Sequence, residues 1–223
     1  MMKKYALIVA AGAGTRMQSD VPKQFLPLNG KPLYYYSVHT FLQSFPDVEI
    51  LLILPKSHPF KEEEILQYFV DCSRIRIIAG GETRFESVKN GLAQVGEGIV
   101  FIHDAVRPFI NKRLLTDLLS VASDKGNAIP FTEVIDSLRY VDKEQNFSID
   151  RSLYKAIQTP QVFNSQLIKS AFEQAYDPLF TDDASVLEKL GKKINLVAGL
   201  RENIKITQAI DLKLAEMIIK DWA

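Results

Sequence analysis

Two rhythms of apolar and polar positions alternate along this chain. Continuous apolar runs at Tyr5 to Ala11, Val48 to Leu54, Ile75 to Ala79 and Ile99 to His103 have the length of buried parallel strands. Strands that end in glycine or a polar turn recur, at Gly12, at Gly80-Gly81 and at Asp104. Between them lie helical stretches. Gly30-Lys31-Pro32 opens one through about Phe45, with proline suited to a first turn, and Lys61 to Val70 reads as another. Asn111 can cap a helix that begins around Lys112. Later stretches predict helices near Asn164 to Tyr176 and Asp183 to Leu190, strands at Ile194 to Val197 and Ile204 to Thr207, and a closing helix to Trp222. Ala128 to Gln158 breaks the alternation: apolar residues flank a polar turn at Asp142 to Asn146, which predicts a β-hairpin. The pattern predicts an α/β fold with an open, mostly parallel sheet, helices on both faces, and ligands at the carboxyl ends of the strands.

Composition narrows this. With 223 residues and 47% hydrophobic positions, the chain can bury a substantial core as one domain, residues 1–223. Lys plus Arg and Asp plus Glu both number 27, so no overall field recruits nucleic acid or an anionic membrane, and phosphate binding must be local. Cys72 stands alone, which excludes an internal disulfide and a cysteine-based zinc site and fits a reducing compartment. The start MMKKYALIVAAGAG resembles a short secretory signal, but cleavage there would discard the first strand and its loop. The expectation is a cytoplasmic protein. No run reaches the roughly eighteen apolar residues of a membrane span.

The densest candidate chemistry lies in YALIVAAGAGTRMQSDVPK, from Tyr5 to Lys23. The glycines allow a tight turn whose backbone N–H groups point outward, and Arg16 and Lys23 add fixed positive charge, a combination suited to a polyphosphate. It is not a Walker loop, which needs Gly-Lys-Ser/Thr, and Met17 stands where a dinucleotide fingerprint has its third glycine. Four further clusters follow. GGETRFESVKNGL (Gly80 to Leu92) offers two glycines, Arg84 and Ser87, though alone it reads as a turn and helix start. In HDAVRP (His103 to Pro108), Asp104 after a strand can hold a magnesium ion and Arg107 can meet an anion, unless the two form a surface salt bridge. His103 beside a buried strand reads as a satisfied structural group. Asp150-Arg151, QTPQVF (Gln158 to Phe163) and FTDDAS (Phe180 to Ser185) supply hydroxyls, amides and an arginine, though Thr159-Pro160 also reads as a turn and Thr181-Asp182 as a helix cap. ENIKIT (Glu202 to Thr207) places Lys205 opposite Ile204 and Ile206 on an expected strand, where a solvated lysine is the default reading.

Taken in order, AAGAGTRM, PKQF, GGETRFESVKNGL, HDAVRP, DRSLYKAIQTPQVF, FTDDAS and NIKIT strongly resemble the 2-C-methyl-D-erythritol 4-phosphate cytidylyltransferases of the non-mevalonate isoprenoid pathway, over about Tyr5 to Leu214. The resemblance implies a Rossmann-like nucleotidyltransferase fold, transfer of CMP from CTP to the sugar-alcohol phosphate, Mg2+ at Asp104, and a homodimer through a β-arm at about 133–155. It implies that Ala10, Ala11, Gly12, Ala13, Gly14, Arg16, Lys23, Gly81, Glu82, Ser87 and Ala105 line the nucleotide side. It further implies that Asp104, Arg107, Ser137, Arg151, Thr159, Thr181 and Lys205 meet the sugar phosphate or its metal, with Arg16, Lys23, Arg151 and Lys205 as the catalytic cations. Where the family usually has Asp-Thr, an apolar residue and Lys, this chain reads Asp136-Ser137-Leu138-Arg139, keeping the hydroxyl and the charge. Two other readings stay open: a cytidylyltransferase for another polyol phosphate such as ribitol 5-phosphate, and a non-enzymatic nucleotide-binding module. RFESVKNGL and DDAS favour methylerythritol phosphate by resemblance, and the module would not need cations spread as far as Lys205.

Overall fold

The first apolar run forms strand β1 (Lys4–Val9) in the computed structural model, which describes residues 2–12, 21–56 and 61–222. A two-residue ladder, β2 (Pro27–Leu28) and β3 (Lys31–Pro32), turns through Asn29 and Gly30 at positive φ and leads directly into α1 (Leu33–Ser44). There follow β4 (Val48–Leu54), α2 (Glu62–Leu66), β5 (Ile75–Ala79), α3 (Arg84–Leu92), β6 (Ile99–Asp104) and α4 (Lys112–Lys125). Asn111 caps α4 as expected, its Oδ1 accepting the Leu114 N–H at 2.9 Å. The second half runs β7 (Asn127–Glu133), β8 (Leu138–Val141), β9 (Asn146–Ile149), β10 (Lys155–Ile157), β11 (Gln161–Asn164), α5 (Ser165–Ala171), α6 (Asp183–Glu188), β12 (Leu196–Ala198) and α7 (Ala209–Asp221).

Eight of these strands share one sheet, in the order β5-β4-β1-β6-β11-β7-β10, with β12 also on β7. The β1/β4, β1/β6, β4/β5 and β7/β12 pairs are parallel, while β10 and β11 run against their neighbours. Side chains alternate between the two faces. Ala6, Ile8, Ile50, Leu52, Ile99 and Phe101 face α1 and α4, whereas Leu7, Leu51, Ile53, Val100 and Ile102 face α3, α5 and α6. This alternation sends the last two residues of β6 to opposite sides, His103 toward α1 and Asp104 toward α3. No helix among the described residues is long and apolar enough to cross a membrane.

Three expectations need correction. Helix α2 ends at Leu66 rather than near Val70, because the chain turns there (Phe69 N–H to the Leu66 carbonyl, 2.9 Å) and packs Phe69 and Tyr68 on Tyr35. Helices α5 and α6 also stop short of their predicted ends, in turns that begin at Phe172 and Lys189. Ile204 to Thr207 is not a strand: the chain beside it turns at Asp104 to Arg107, so besides the local bond from Ile204 N–H to the Glu202 carbonyl (2.7 Å) it reaches that chain through Ile206 N–H to the Val106 carbonyl at 2.9 Å. The expected hairpin is present as β8 and β9, a separate two-stranded sheet turning at Asp142 to Gln145, while β7 belongs to the central sheet.

Candidate active site

At the carboxyl ends of β1 and β6 a cavity of about 240 Å³ opens, lined by Ala10, Ala11, Gly12, Lys23, Gly81, Glu82, Arg84, Ser87, Asp104 and Lys205 among others. Its floor is built by local hydrogen bonds. The Gln24 side chain, buried, donates Nε2 to the carbonyls of Ala10 (2.6 Å) and Gly12 (3.1 Å), holding the exit of β1. Ser87 accepts the Gly81 N–H at 3.0 Å and donates to the Thr83 carbonyl at 2.8 Å, which folds the Gly80-Gly81 turn over the start of α3. A Cβ on Gly81 would stand 2.2 Å from the Cβ of Glu86, so only glycine fits there.

The charges form a chain. Asp104, with 10% of its side chain exposed, takes Arg84 Nε on Oδ1 at 3.2 Å and Lys205 Nζ on Oδ2 at 2.8 Å. The other two nitrogens of Arg84 meet both oxygens of Asp183 at 2.9 and 2.7 Å. Burial by itself would raise the Asp104 carboxyl, but Arg84 and then Lys205 outweigh it and hold the group well below the usual carboxylate range. Burial likewise opposes the Arg84 charge, and Asp183 and Asp104 overcome it. Lys23 donates to the Ile206 carbonyl at 3.3 Å, so the two lysines are carried to one cavity from opposite ends of the chain.

His103 is satisfied on the other face. Its Nδ1 lies 3.0 Å from the Thr159 hydroxyl and its Nε2 3.0 Å from the Arg107 carbonyl, which together fit a neutral ring protonated on Nε2. Burial lowers its pKa to about 4. The same Thr159 oxygen accepts the Asp104 N–H at 3.1 Å, so a buried hydroxyl locks the β6 tip rather than facing the cavity.

Among the other expected residues, Ala105 is fully buried. Arg107 is partly buried, donates Nη1 to the Asn203 carbonyl at 2.8 Å, and has no partner for Nε among the described residues. Ser137, Arg151 and Thr181 are exposed and do not line the cavity; Arg151 donates to the Ile135 carbonyl at the foot of the hairpin. Ala13, Gly14 and Arg16 lie outside the described residues. Sequence reasoning passed over Gln24, Asp183, Gln158 and Asn203, and noticed Arg84 without giving it a role. Gln158 donates to the Leu200 carbonyl at 2.7 Å and Asn203 to the Thr159 carbonyl at 2.9 Å, tying the segment that carries Lys205 to the turn beside β6. All four lie within quoted motifs, PKQF, QTPQVF, FTDDAS and NIKIT, but none was given a role of its own.

No group of three or more His, Cys, Asp or Glu side chains that could hold a metal occurs among the described residues. Asp104 nevertheless keeps spare lone pairs on both oxygens, and a single carboxylate suits Mg2+ that brings water and phosphate oxygens as its other ligands.

Comparison with known proteins identifies the family. The family model described as 2-C-methyl-D-erythritol 4-phosphate cytidylyltransferase matches residues 5–221. Proteins of that name from Phocaeicola vulgatus and Bacteroides fragilis are each 44% identical, over 98% of this chain and 100% of their own length. Among solved structures, the 4-diphosphocytidyl-2C-methyl-D-erythritol synthase of Anaerococcus prevotii superposes with a TM-score of 0.84 at 27% identity, over 98% of this chain and 96% of that one. The 2-C-methyl-D-erythritol 4-phosphate cytidylyltransferase of Thermus thermophilus gives 0.79 at 29% identity, over 98% and 100%.

Proposed function

The chain belongs to the 2-C-methyl-D-erythritol 4-phosphate cytidylyltransferase family, and from that premise we propose that the cavity at the tips of β1 and β6 is where it transfers CMP from CTP to 2-C-methyl-D-erythritol 4-phosphate. The transfer releases pyrophosphate and serves the non-mevalonate isoprenoid pathway. The observation that carries the reading is the meeting of Lys23, Lys205 and Asp104 beside a glycine-bearing strand end.

The chemistry fits a site without a general base. The acceptor phosphate has its second pKa at about six and is largely dianionic at neutral pH, so the nucleophile is already made. His103, buried and hydrogen-bonded through both ring nitrogens, has no call to act as one. The obstacle is repulsion between the acceptor anion and the triphosphate. Lys23 offsets charge on the triphosphate, and Lys205, oriented by Asp104, draws the incoming phosphate toward the α-phosphorus. Arg16, which lies outside the described residues, is assigned to the same charge balance by the family resemblance. Mg2+, when bound at Asp104, adds positive charge beside the phosphates.

The assembly we propose is a cytoplasmic homodimer. Tyr140, Val141 and Phe147 leave apolar surface on the hairpin exposed, and a lone hairpin is marginal in water, which supports a second copy as its cover. In that dimer Ser137, Arg151 and Thr181 complete the acceptor side, Arg151 from the partner chain. Pyrophosphate release with CTP, run against methylerythritol phosphate, ribitol 5-phosphate and no acceptor, tests the function. Release with methylerythritol phosphate alone is expected, and a preference for ribitol 5-phosphate would overturn it.

A further inference from the structure

Arg84 bridges two helix starts that come from distant parts of the chain. It is the first residue of α3, and its backbone is fixed by the Thr83 cap: Thr83 Oγ1 accepts the Glu86 N–H at 3.1 Å, and Glu86 Oε2 accepts the N–H groups of Thr83 (3.1 Å) and Glu82 (2.8 Å). Asp183, 99 residues away, is the first residue of α6 and is 1% exposed. Its position is fixed from the sheet, because the buried Gln161 side chain donates Nε2 to Asp182 Oδ2 at 2.7 Å and accepts the Ala184 N–H at 2.8 Å. A rigid fork between two rigid anchors leaves one nitrogen, Nε, aimed at Asp104 Oδ1.

Resting on the cytidylyltransferase reading above, we propose that Arg84 and Asp183 form a positioning pair, in which Asp183 sets the guanidinium so that it fixes Asp104 and, through Asp104, the ammonium of Lys205. Lys205, Asp104, Arg84 and Asp183 alternate in sign across the end of the sheet. Asp183 absorbs the second half of the Arg84 fork. Without it the guanidinium is free to turn two nitrogens onto Asp104 and compete with Lys205 for the same carboxylate. Arg84 lines the cavity and Asp183 does not, so Asp183 acts only through Arg84. The pair also joins α3, which carries Ser87, to the start of α6.

The test separates positioning from simple structural support. Asp183→Asn, nearly isosteric, and the apolar pair Arg84→Met with Asp183→Leu are compared with the wild-type chain for thermal stability, CTP binding by calorimetry, and kcat and KM for CTP and methylerythritol phosphate. Apolar groups that replace a largely enclosed ion pair often keep or regain stability, so the double variant is expected to fold. Its kcat should nevertheless stay about a hundredfold below wild type, the scale for misplacing a reacting group by an ångström. Asp183→Asn should lower kcat by about tenfold or more while CTP binding changes far less. Turnover restored to near wild type in the apolar pair, or wild-type kcat in Asp183→Asn, would show that the pair is structural only. A wild-type chain that releases no pyrophosphate would remove the cytidylyltransferase reading and this inference with it, whereas an active wild type beside active variants removes the inference alone.

Discussion

The tip of β6 and the β8–β9 hairpin are built from similar materials and end in opposite states. Every residue from Ile99 to Asp104 is buried, including a histidine and an aspartate, while most of the hairpin is exposed, including a tyrosine and a phenylalanine whose rings stack at 5.1 Å. At β6 the polar groups are tolerated because each has a partner: Thr159 and the Arg107 carbonyl for His103, Arg84 and Lys205 for Asp104. At the hairpin the backbone ladder is complete, but the apolar side chains are left facing water. A site is therefore made where polar groups are enclosed, and an interaction surface where apolar groups are not.

The largest expected effect tests the enclosed region. Lys205→Ala or Lys23→Ala should lower kcat by about a hundredfold or more, the scale for losing one preorganised electrostatic stabiliser. Lys205→Ala should also lower the melting temperature, because the enclosed Asp104 then keeps Arg84 alone of its two cationic partners. Near-normal turnover in a purified variant would take that lysine out of the mechanism.

A second experiment joins the two regions. If the hairpin serves a neighbouring copy, Lys23→Ala and Arg151→Ala chains should each be nearly dead. Mixed dimers would then hold one intact site in two, and free re-sorting of an equimolar mixture recovers roughly a quarter of wild-type activity. Refolding the variants together, with each refolded alone as control, measures this. Mixed dimers that form and stay inactive would mean that Arg151 does not act across the interface.

The same contrast explains how much the sequence revealed. Val48 to Leu54 was legible to the residue because a buried parallel strand leaves an uninterrupted apolar run, and Asn111 because a cap lies next to the helix it starts. The polar turn of the hairpin was legible for the same local reason. Arg84 and Asp183 were not, since each alone reads as a first-turn residue and nothing in the chain signals that positions 99 residues apart will meet. Ile204 to Thr207 misled because the alternation is real but has another cause: Ile206 is buried by Leu28, Leu33, Val106 and Phe109, not by a ladder. Thr159 looked like a turn residue, and its hydroxyl acts as a lock on β6.

The third effect is on stability and separates the regions by pH. Burial depresses His103 from 6.5 to about 4, so the unfolded chain binds its proton more readily than the folded one. Stability is therefore full above about 6.5 and is lost as the pH falls toward 4, by on the order of 3 kcal/mol from this residue alone. Chemical denaturation at pH 7.5 and pH 5 (conditions of roughly full and partial effect) should show the loss in wild type and a smaller one in His103→Gln. An equal loss in both would assign the acid sensitivity elsewhere.

The smallest effect compares one device used in both places. Asn111 Oδ1 accepts the Leu114 N–H at 2.9 Å to start α4, and Asp142 Oδ1 accepts the N–H groups of Glu144 (2.8 Å) and Gln145 (2.9 Å) to turn the hairpin. The carboxyl of Asp142 is lowered from its ordinary value by those two backbone donors, so its turn gains from the charge as well as from the geometry. Helix α4 packs Leu114, Leu115 and Leu118 into the main core, whereas the hairpin contributes nothing to any of the three buried clusters. Loss of a cap on a core helix is felt by the whole fold, so Asn111→Ala should cost about 1 kcal/mol and lower the melting temperature by about 2–4 °C. Asp142→Ala should instead loosen the hairpin locally, speeding amide exchange between Leu138 and Ile149 while the global melting temperature stays within about 1 °C. An equal drop for both variants would show that the hairpin opens together with the core, and the contrast between the two regions would then be one of exposure and not of cooperativity.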